Sequence, residues 1–366
     1  MALSPGSRVG PYEIAEQRLF NQGITCPRGD KPADIVAWLG AVQAQEYPFA
    51  KWALGLRLPG VTPDAHIERA IDEGKILRTH VMRPTWHFVT PVDIRWMLKL
   101  TAPRVHRVMA HYTRRAELTA PILTKGTKGF ERALRDGQCL TRAELGARLA
   151  RLGIKAKGVR LALLTMHAEL EGVICSGPRR KGQLTYALLD ERAPQQRRLS
   201  RDEALAELTG RYFKSHGPAT IRDFVWWSGL TTSDAKEGLE MNKALHEVIN
   251  GRTYWTIGAA PRVGRDSSVL LLPIYDEYLV AYRDRDAVPH SVTKIASASR
   301  GLVTFQHALV IAGQVAGTWR TARTNEGIAV DVIPLRRLTR TERHAVIEVA
   351  KRYEGFAGVP VSATFS

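Results

Sequence analysis

"GVRLALLTMHAELEGVICSGPRRKGQLTYALLD" (Gly158 to Asp190) opens as a helix and closes as a pair of strands. Apolar residues at helical spacing predict a helix from Val159 to Leu170. "GVICSG" and "QLTYALL" then read as two strands, with "PRRKG" as a basic turn between them. Just before it, "LTRAELGARLARLG" (Leu140 to Gly153) puts Leu145 and Leu149 four apart, on one buried stripe of another helix. Two helices across a short turn, followed by a hairpin with a basic tip, make a winged helix.

The same pattern recurs on either side. "KPADIVAWLG" (Lys31 to Gly40) carries Ile35 and Leu39 four apart, and "GPATIRDFVWWSGL" (Gly217 to Leu230) carries Ile221 and Val225. The first of these leads to "GKILRTHVMRPTWHFV", again strand-like and basic. The second leads to "TTSDAKEGLE" as a second helix and "HEVINGRTYWTIG" as a hairpin, where Asn250-Gly251 suits a tight turn. Three winged helices in tandem are expected.

Between the first two units, "TPVDIRWMLKL" opens a helix, with Thr90 as cap, Pro91 in the first turn and Asp93 completing a capping-box-like signature. Residues 90 to about 136 read as connecting helices. Beyond Ala260 the period changes from 3.6 to 2. "SVLLLPIYDEYLVAYRDR", "HALVIAGQVAGTWR" and "GIAVDVIPL" are strand-rich, Gly313 and Gly317 mark turns or bulges, and "RTERHAVIEVAKRYEGF" is a final helix. The expected fold is mainly α with small β elements, an α+β chain of three winged helices followed by a small C-terminal β-barrel. Its modules are 1–100, 101–195, 196–262 and 263–366.

The 366 residues carry a formal charge of +17, which points to a polyanionic partner. With winged helices, that partner is double-stranded DNA. Phosphate contacts are expected at the second wing tip (Arg179, Arg180, Lys181), in "YRDR" (Arg283, Arg285) and at Arg320 after "GTW". Arg83 and His87 in "VMRPTWHF" join them. Any one arginine also fits a solvated surface charge; collectively the basic excess predicts salt-sensitive binding.

Cys26, Cys139 and Cys175 are odd in number and widely spaced, so neither a disulfide framework nor a metal set is expected, and a reducing cytoplasm suits them. The start of the chain has no signal-peptide core, and no apolar run reaches membrane-spanning length. No nucleophile elbow, phosphate loop, HExxH or paired CxxC is present, and no cofactor or metal is expected. No heptad seam suggests a dimer, so a monomer is the default.

One polar feature interrupts an apolar helical run: Gln43 and Gln45 in "WLGAVQAQEYPFAKWAL" (Trp38 to Leu54). On an ideal helix two such residues point about 200° apart. Pro48 disfavours helix at Tyr47, so the helix is expected to stop near Gln45, where an unwound end could gather both amides. From the residues alone, the plainer account is that one glutamine is solvated and the other caps the helix end.

"GAVQAQEYPFAKWALGLRL", then "ILRTHVMRPTWHFVTPVDIRWML", "LLLPIYDEYLVAYRDR" and "GQVAGTW", resemble the AlkZ/YcaQ family of winged-helix bacterial DNA glycosylases, in order and over residues 12 to 350 or so. The family pattern is Gln, an apolar residue, then Gln or Asp. Gln43-Ala44-Gln45 is similar to the AlkZ branch. The resemblance implies three winged helices and a β-barrel around a DNA channel, and Gln43 and Gln45 as catalytic residues. It also implies excision of bulky N-alkylated purines, with crosslink unhooking and self-resistance to alkylating antibiotics among the family's roles. Two competing readings are a winged-helix regulator and a binder that flags lesions without turnover.

Overall fold

A computed structural model describes residues 11–195, 197–258, 267–284 and 306–366 of this mixed α/β protein. Chain contacts divide it into two compact units. One comprises residues 1–68, 209–227 and 232–366, and the other residues 69–208 and 228–231. Among the described residues no helix is long and apolar enough to cross a membrane.

The second unit holds the Gly158 to Asp190 stretch. Helix Ala120–Leu134 leads to a short strand, Leu140–Thr141, then helices Arg142–Arg151 and Gly158–Leu170, then strands Ile174–Arg180 and Gln183–Leu188. The short strand pairs with Gln183–Leu188, which pairs in turn with Ile174–Arg180. This is the winged-helix order expected for that stretch. Thr141 starts its helix with a full capping box, accepting from Glu144 N while the Glu144 carboxylate accepts from Thr141 N. Leu145 and Leu149 are fully buried, as their spacing predicts. The wing turns through Lys181 and Gly182, at φ 49° and 79°, both in the left-handed region a tight hairpin needs.

The same unit contains the antiparallel hairpin Leu77–His80 and Trp86–Val89, and the connecting helix Ile94–Arg115. That helix begins a few residues later than its sequence suggests. Thr90 spends its hydroxyl on the Asp93 carboxylate at 2.6 Å, so Asp93 takes the N-cap position and also accepts from Trp96 Nε1 at 2.9 Å.

In the first unit, helices Ile221–Ser228 and Thr232–Met241 precede the hairpin Leu245–Ile249 and Arg252–Thr256, turned through Asn250 (φ 51°) and Gly251 (φ 75°). The buried stripe of Ile221–Ser228 is not the expected one. Ile221 and Val225 are half-exposed, while Phe224 and Trp227 are fully buried. The larger rings win the interior because Tyr212 and His216 offer them aromatic partners, with ring centroids 4.9 to 5.4 Å apart.

The C-terminal strands form one five-stranded sheet, in the order Val361–Phe365, Ile328–Pro334, Gln314–Arg323, His307–Ile311, Val269–Leu272. It curls but does not close: the two outer strands are not paired to each other, and helix Arg340–Ala357 packs against both. The expected barrel is thus a curled sheet completed by a helix. Gly317 permits the curl, since a side chain there would meet the Ile333 carbonyl at 2.7 Å. The last strand, parallel to Ile328–Pro334, has no counterpart in the sequence expectations.

Candidate active site

The glutamine motif does not terminate a helix. Helix Pro32–Leu39 stops at Gly40, whose φ of 82° breaks the run, and the chain crosses as the two-residue strand Val42–Gln43 before helix Tyr47–Gly55 begins. Gln43 is buried and Gln45 half-exposed. Pro48 does not keep Tyr47 out of a helix: Tyr47 is the first residue of helix Tyr47–Gly55, and Pro48 sits within its first turn, where its missing N–H costs nothing. Only Val42–Gln43 is extended, and Gln45 lies in the bend before the next helix, so neither the helical wheel nor strand alternation governs the pair.

What fixes that crossing lies far along the sequence. Gln43 N donates to Glu277 Oε1 at 2.7 Å, and Trp227 Nε1 donates to Glu277 Oε2 at 3.0 Å. His216 Nε2 lies 3.5 Å from the same oxygen. Glu277 and His216 are both wholly buried. Burial lowers the His216 pKa, with Glu277 pulling the other way.

The carboxylate is itself held by the turn that carries it. "IYDEYLVAYR" is not strand: after Val269–Leu272 and Pro273, Asp276 caps the short helix Glu277–Val280 by accepting from Tyr278 N at 2.9 Å. Asp276 is also gripped by both terminal nitrogens of Arg57, each at 2.8 Å. The remaining Arg57 donors go to Gln22 and to the Ala53 and Gln22 carbonyls. Gln22 Nε2 donates to the Tyr282 hydroxyl, which donates to His216 O. Arg57 is fully buried and its donors are satisfied, so the Arg57–Asp276 pair fixes the turn that presents Glu277.

Beside the motif, Lys51 is buried and paired with Asp64 (2.8 Å) and Glu68 (2.5 Å), and Tyr47 donates to Glu68 at 2.6 Å. Phe49 packs on His307 and Trp319, with ring centroids 4.1 and 6.1 Å away. His307 accepts from Ile274 N at Nδ1, and burial brings its pKa down to about 4.

The expected DNA contacts fare unevenly. Arg179, Arg180 and Lys181 are exposed at the wing tip, with Arg180 paired to Glu144. Arg283 is exposed beside Trp226, and Arg320 is exposed but doubly bonded to Asp331. Arg83 is half-exposed. His87 is fully buried in its strand, and burial holds its pKa well below the ordinary value. A buried neutral ring offers phosphate nothing, so the His87 expectation is corrected. Arg285 lies outside the described residues. The tip of the "HALVIAGQVAGTWR" hairpin is tied down: Tyr278 donates to Gly313 O at 2.7 Å.

Sequence reading missed Glu277, Trp227 and His216. A signal was present, since an adjacent Asp-Glu pair inside an apolar, tyrosine-rich run is expensive to bury without a purpose.

A protein-family model described as DNA glycosylase AlkZ-like matches residues 36–356. A curated Streptomyces sahachiroi protein, an interstrand DNA cross-link repair glycosylase, is 28% identical over 325 residues, covering 83% of this chain and 85% of that one. The solved structure of Streptomyces sahachiroi DNA glycosylase AlkZ matches with a TM-score of 0.81 at 22% identity, over 98% of this chain and 100% of the other. At that identity the structural likeness speaks for the fold.

Proposed function

This chain belongs to the AlkZ-like DNA glycosylase family, and from that membership we propose that it hydrolyses the N-glycosidic bond of cationic N-alkylpurines in double-stranded DNA. N7-alkylguanine and N3-alkyladenine are the lesions meant, bulky adducts and interstrand crosslinks included. Gln43 and Gln45 are the catalytic residues. The observation that carries this reading is the buried Glu277 carboxylate holding the Gln43 backbone at 2.7 Å, a brace that an incidental polar loop would not need.

The residue types suit that chemistry. Departure of the base leaves an oxocarbenium-like sugar. A glutamine carbonyl accepts from the attacking water, and its NH₂ donates to a sugar or phosphate oxygen. Neutral amides position but do not act as strong bases. The leaving group must therefore be activated already: an alkylated purine carries a positive charge that is neutralised as the C1′–N bond electrons depart with it. Water adds to C1′ and its proton passes to solvent. Uracil and other neutral bases are poor substrates on this account. No lysine is assigned as a Schiff-base nucleophile, so the enzyme is monofunctional, acting as a monomer and without strand cleavage. Glu277 serves as a positioning residue, holding the Gln43 backbone through its carboxylate.

The relative's crosslink-repair name supports the wider lesion range, in general repair or in self-resistance to alkylating antibiotics. The test is duplex DNA carrying 7-methylguanine, or a nitrogen-mustard crosslink, probed for alkali-labile abasic sites. Product from the wild type and none from Gln43→Ala/Gln45→Ala is expected. No wild-type product, or equal product from the double variant, overturns the proposal; tight binding to one undamaged palindrome would favour a regulator.

A further inference from the structure

Away from the glutamine motif, in the second unit, two histidines and a glutamate converge without any role in the chemistry above. His106 comes from the middle of helix Ile94–Arg115, while His167 and Glu171 come from the last turn and C-cap of helix Gly158–Leu170. One ligand atom from each lies within 4.8 Å of the others. His106 Nε2 is 3.0 Å from Glu171 Oε1, and His167 Nδ1 is 4.0 Å from the same oxygen. The imidazole rings are 5.2 Å apart and inclined at 59°, splayed as two ligands of one ion are, not stacked.

We propose that His106, His167 and Glu171 form a zinc-type divalent metal site that clips helix Gly158–Leu170 to helix Ile94–Arg115. Three features carry it. His106 Nε2 is buried, yet it makes no properly directed hydrogen bond despite its closeness to the carboxylate. A lone pair so placed suits a metal better than a proton shared off-axis. Secondly, His167 and Glu171 are four residues apart on one helix, the spacing that presents two ligands on one face. They sit where the helix dipole places partial negative charge, which favours a cation. Thirdly, there is room for a further ligand. Cavities of about 350 and 260 Å³ flank the cluster, with His106 and Leu170 lining both.

The donor set decides the ion. Two imidazoles and one carboxylate suit Zn²⁺ or Co²⁺, whereas Mg²⁺ and Ca²⁺ require mostly oxygen ligands. Three protein ligands leave the fourth tetrahedral position to water. The distances must contract modestly, since real ligand atoms around zinc at about 2.0 to 2.1 Å lie closer together than 4 Å. The side chains are 21 to 48% exposed and can turn to do so.

The experiment uses the full-length, untagged protein stripped with chelator. Titration with Co²⁺ is expected to give saturable d–d absorption of one tetrahedral or five-coordinate ion per chain, displaced by Zn²⁺. Saturating Zn²⁺ should raise the melting midpoint by roughly 5 °C. His106→Ala and His167→Ala should each abolish both signals. Glu171→Gln should weaken Co²⁺ binding at least tenfold, whereas Glu171→His, which supplies an imidazole ligand in place of the carboxylate, should retain it. Far-UV dichroism of the metal-free variants separates ligand loss from misfolding. An absorption spectrum unchanged in the His106→Ala/His167→Ala double variant, or no saturable spectrum in the wild type, overturns the assignment. Neither outcome bears on the glycosylase reading, because base release by the metal-free protein is scored separately.

Discussion

At the scale of single residues, the motif was legible and its brace was not. Gln43 and Gln45 stand out because amides interrupt an apolar run, whereas Glu277 is 234 positions away and only the fold brings it to Gln43. Glu277→Gln removes the charge and forces an NH₂ against one of two groups that also donate, Gln43 N–H or the Trp227 indole. We expect kcat on 7-methylguanine DNA to fall at least tenfold with little change in DNA affinity; equal losses in both would mark a general structural defect. Gln45→Asp tests whether the two branches of the family pattern are interchangeable. Retention of measurable base release is expected, and complete inactivity would count against shared roles. His87 shows the opposite failure of sequence reading. Its basic, strand-rich surroundings suggested a contact, but both faces of Trp86–Val89 are largely covered, and alternation cannot reveal a second covered face.

At the scale of elements, turns and caps were the most readable features because they depend on local backbone demands. Asn250-Gly251 and the Thr141 capping box appear where their chemistry places them. The short helix Glu277–Val280 was read as strand because apolar residues on both sides hide its period, and Pro273 with the Asp276 cap decides otherwise. The wing tip yields a measurable expectation. Each phosphate neutralised steepens the dependence of log K on log salt by about 0.9. Arg180 is already paired with Glu144, so replacing Arg179, Arg180 and Lys181 by Ala should reduce the slope by closer to two such steps than three. An unchanged slope would remove the wing from the DNA interface. Within the C-terminal sheet, Gly317→Ala places a methyl group 2.7 Å from the Ile333 carbonyl. It should destabilise by on the order of 2 kcal/mol, read as a lower melting midpoint.

At the scale of the whole molecule, charge and burial set the response to conditions. His87, His216 and His307 are all shifted downward by burial, His307 to about 4. Each folded pKa lies below the unfolded value of about 6.5, so the unfolded chain binds more protons in that interval. Their stabilising contribution is complete above about pH 6.5 and diminishes as the pH falls below it; that of His307 is lost as the pH falls toward 4 and amounts to on the order of 3 kcal/mol. Thermal melts should show the midpoint falling from pH 7 to pH 5; a constant midpoint would refute the assignment of neutral buried rings. The +17 charge announced a polyanionic partner, but the grouping of residues 1–68 with 209–227 and 232–366 could not be read from it. Composition and local periodicity carry no record of which distant segments share a core.

The bond from Gln43 to Glu277 also has a temporal meaning. A ribosome releases the glutamine motif early and the "YDEY" turn much later, so a nascent chain carries the two glutamines long before it carries the carboxylate that holds Gln43. A chain halted at residue 262 should retain both glutamines yet liberate no purine. Synthesis order would then spare the genome from half-made enzyme.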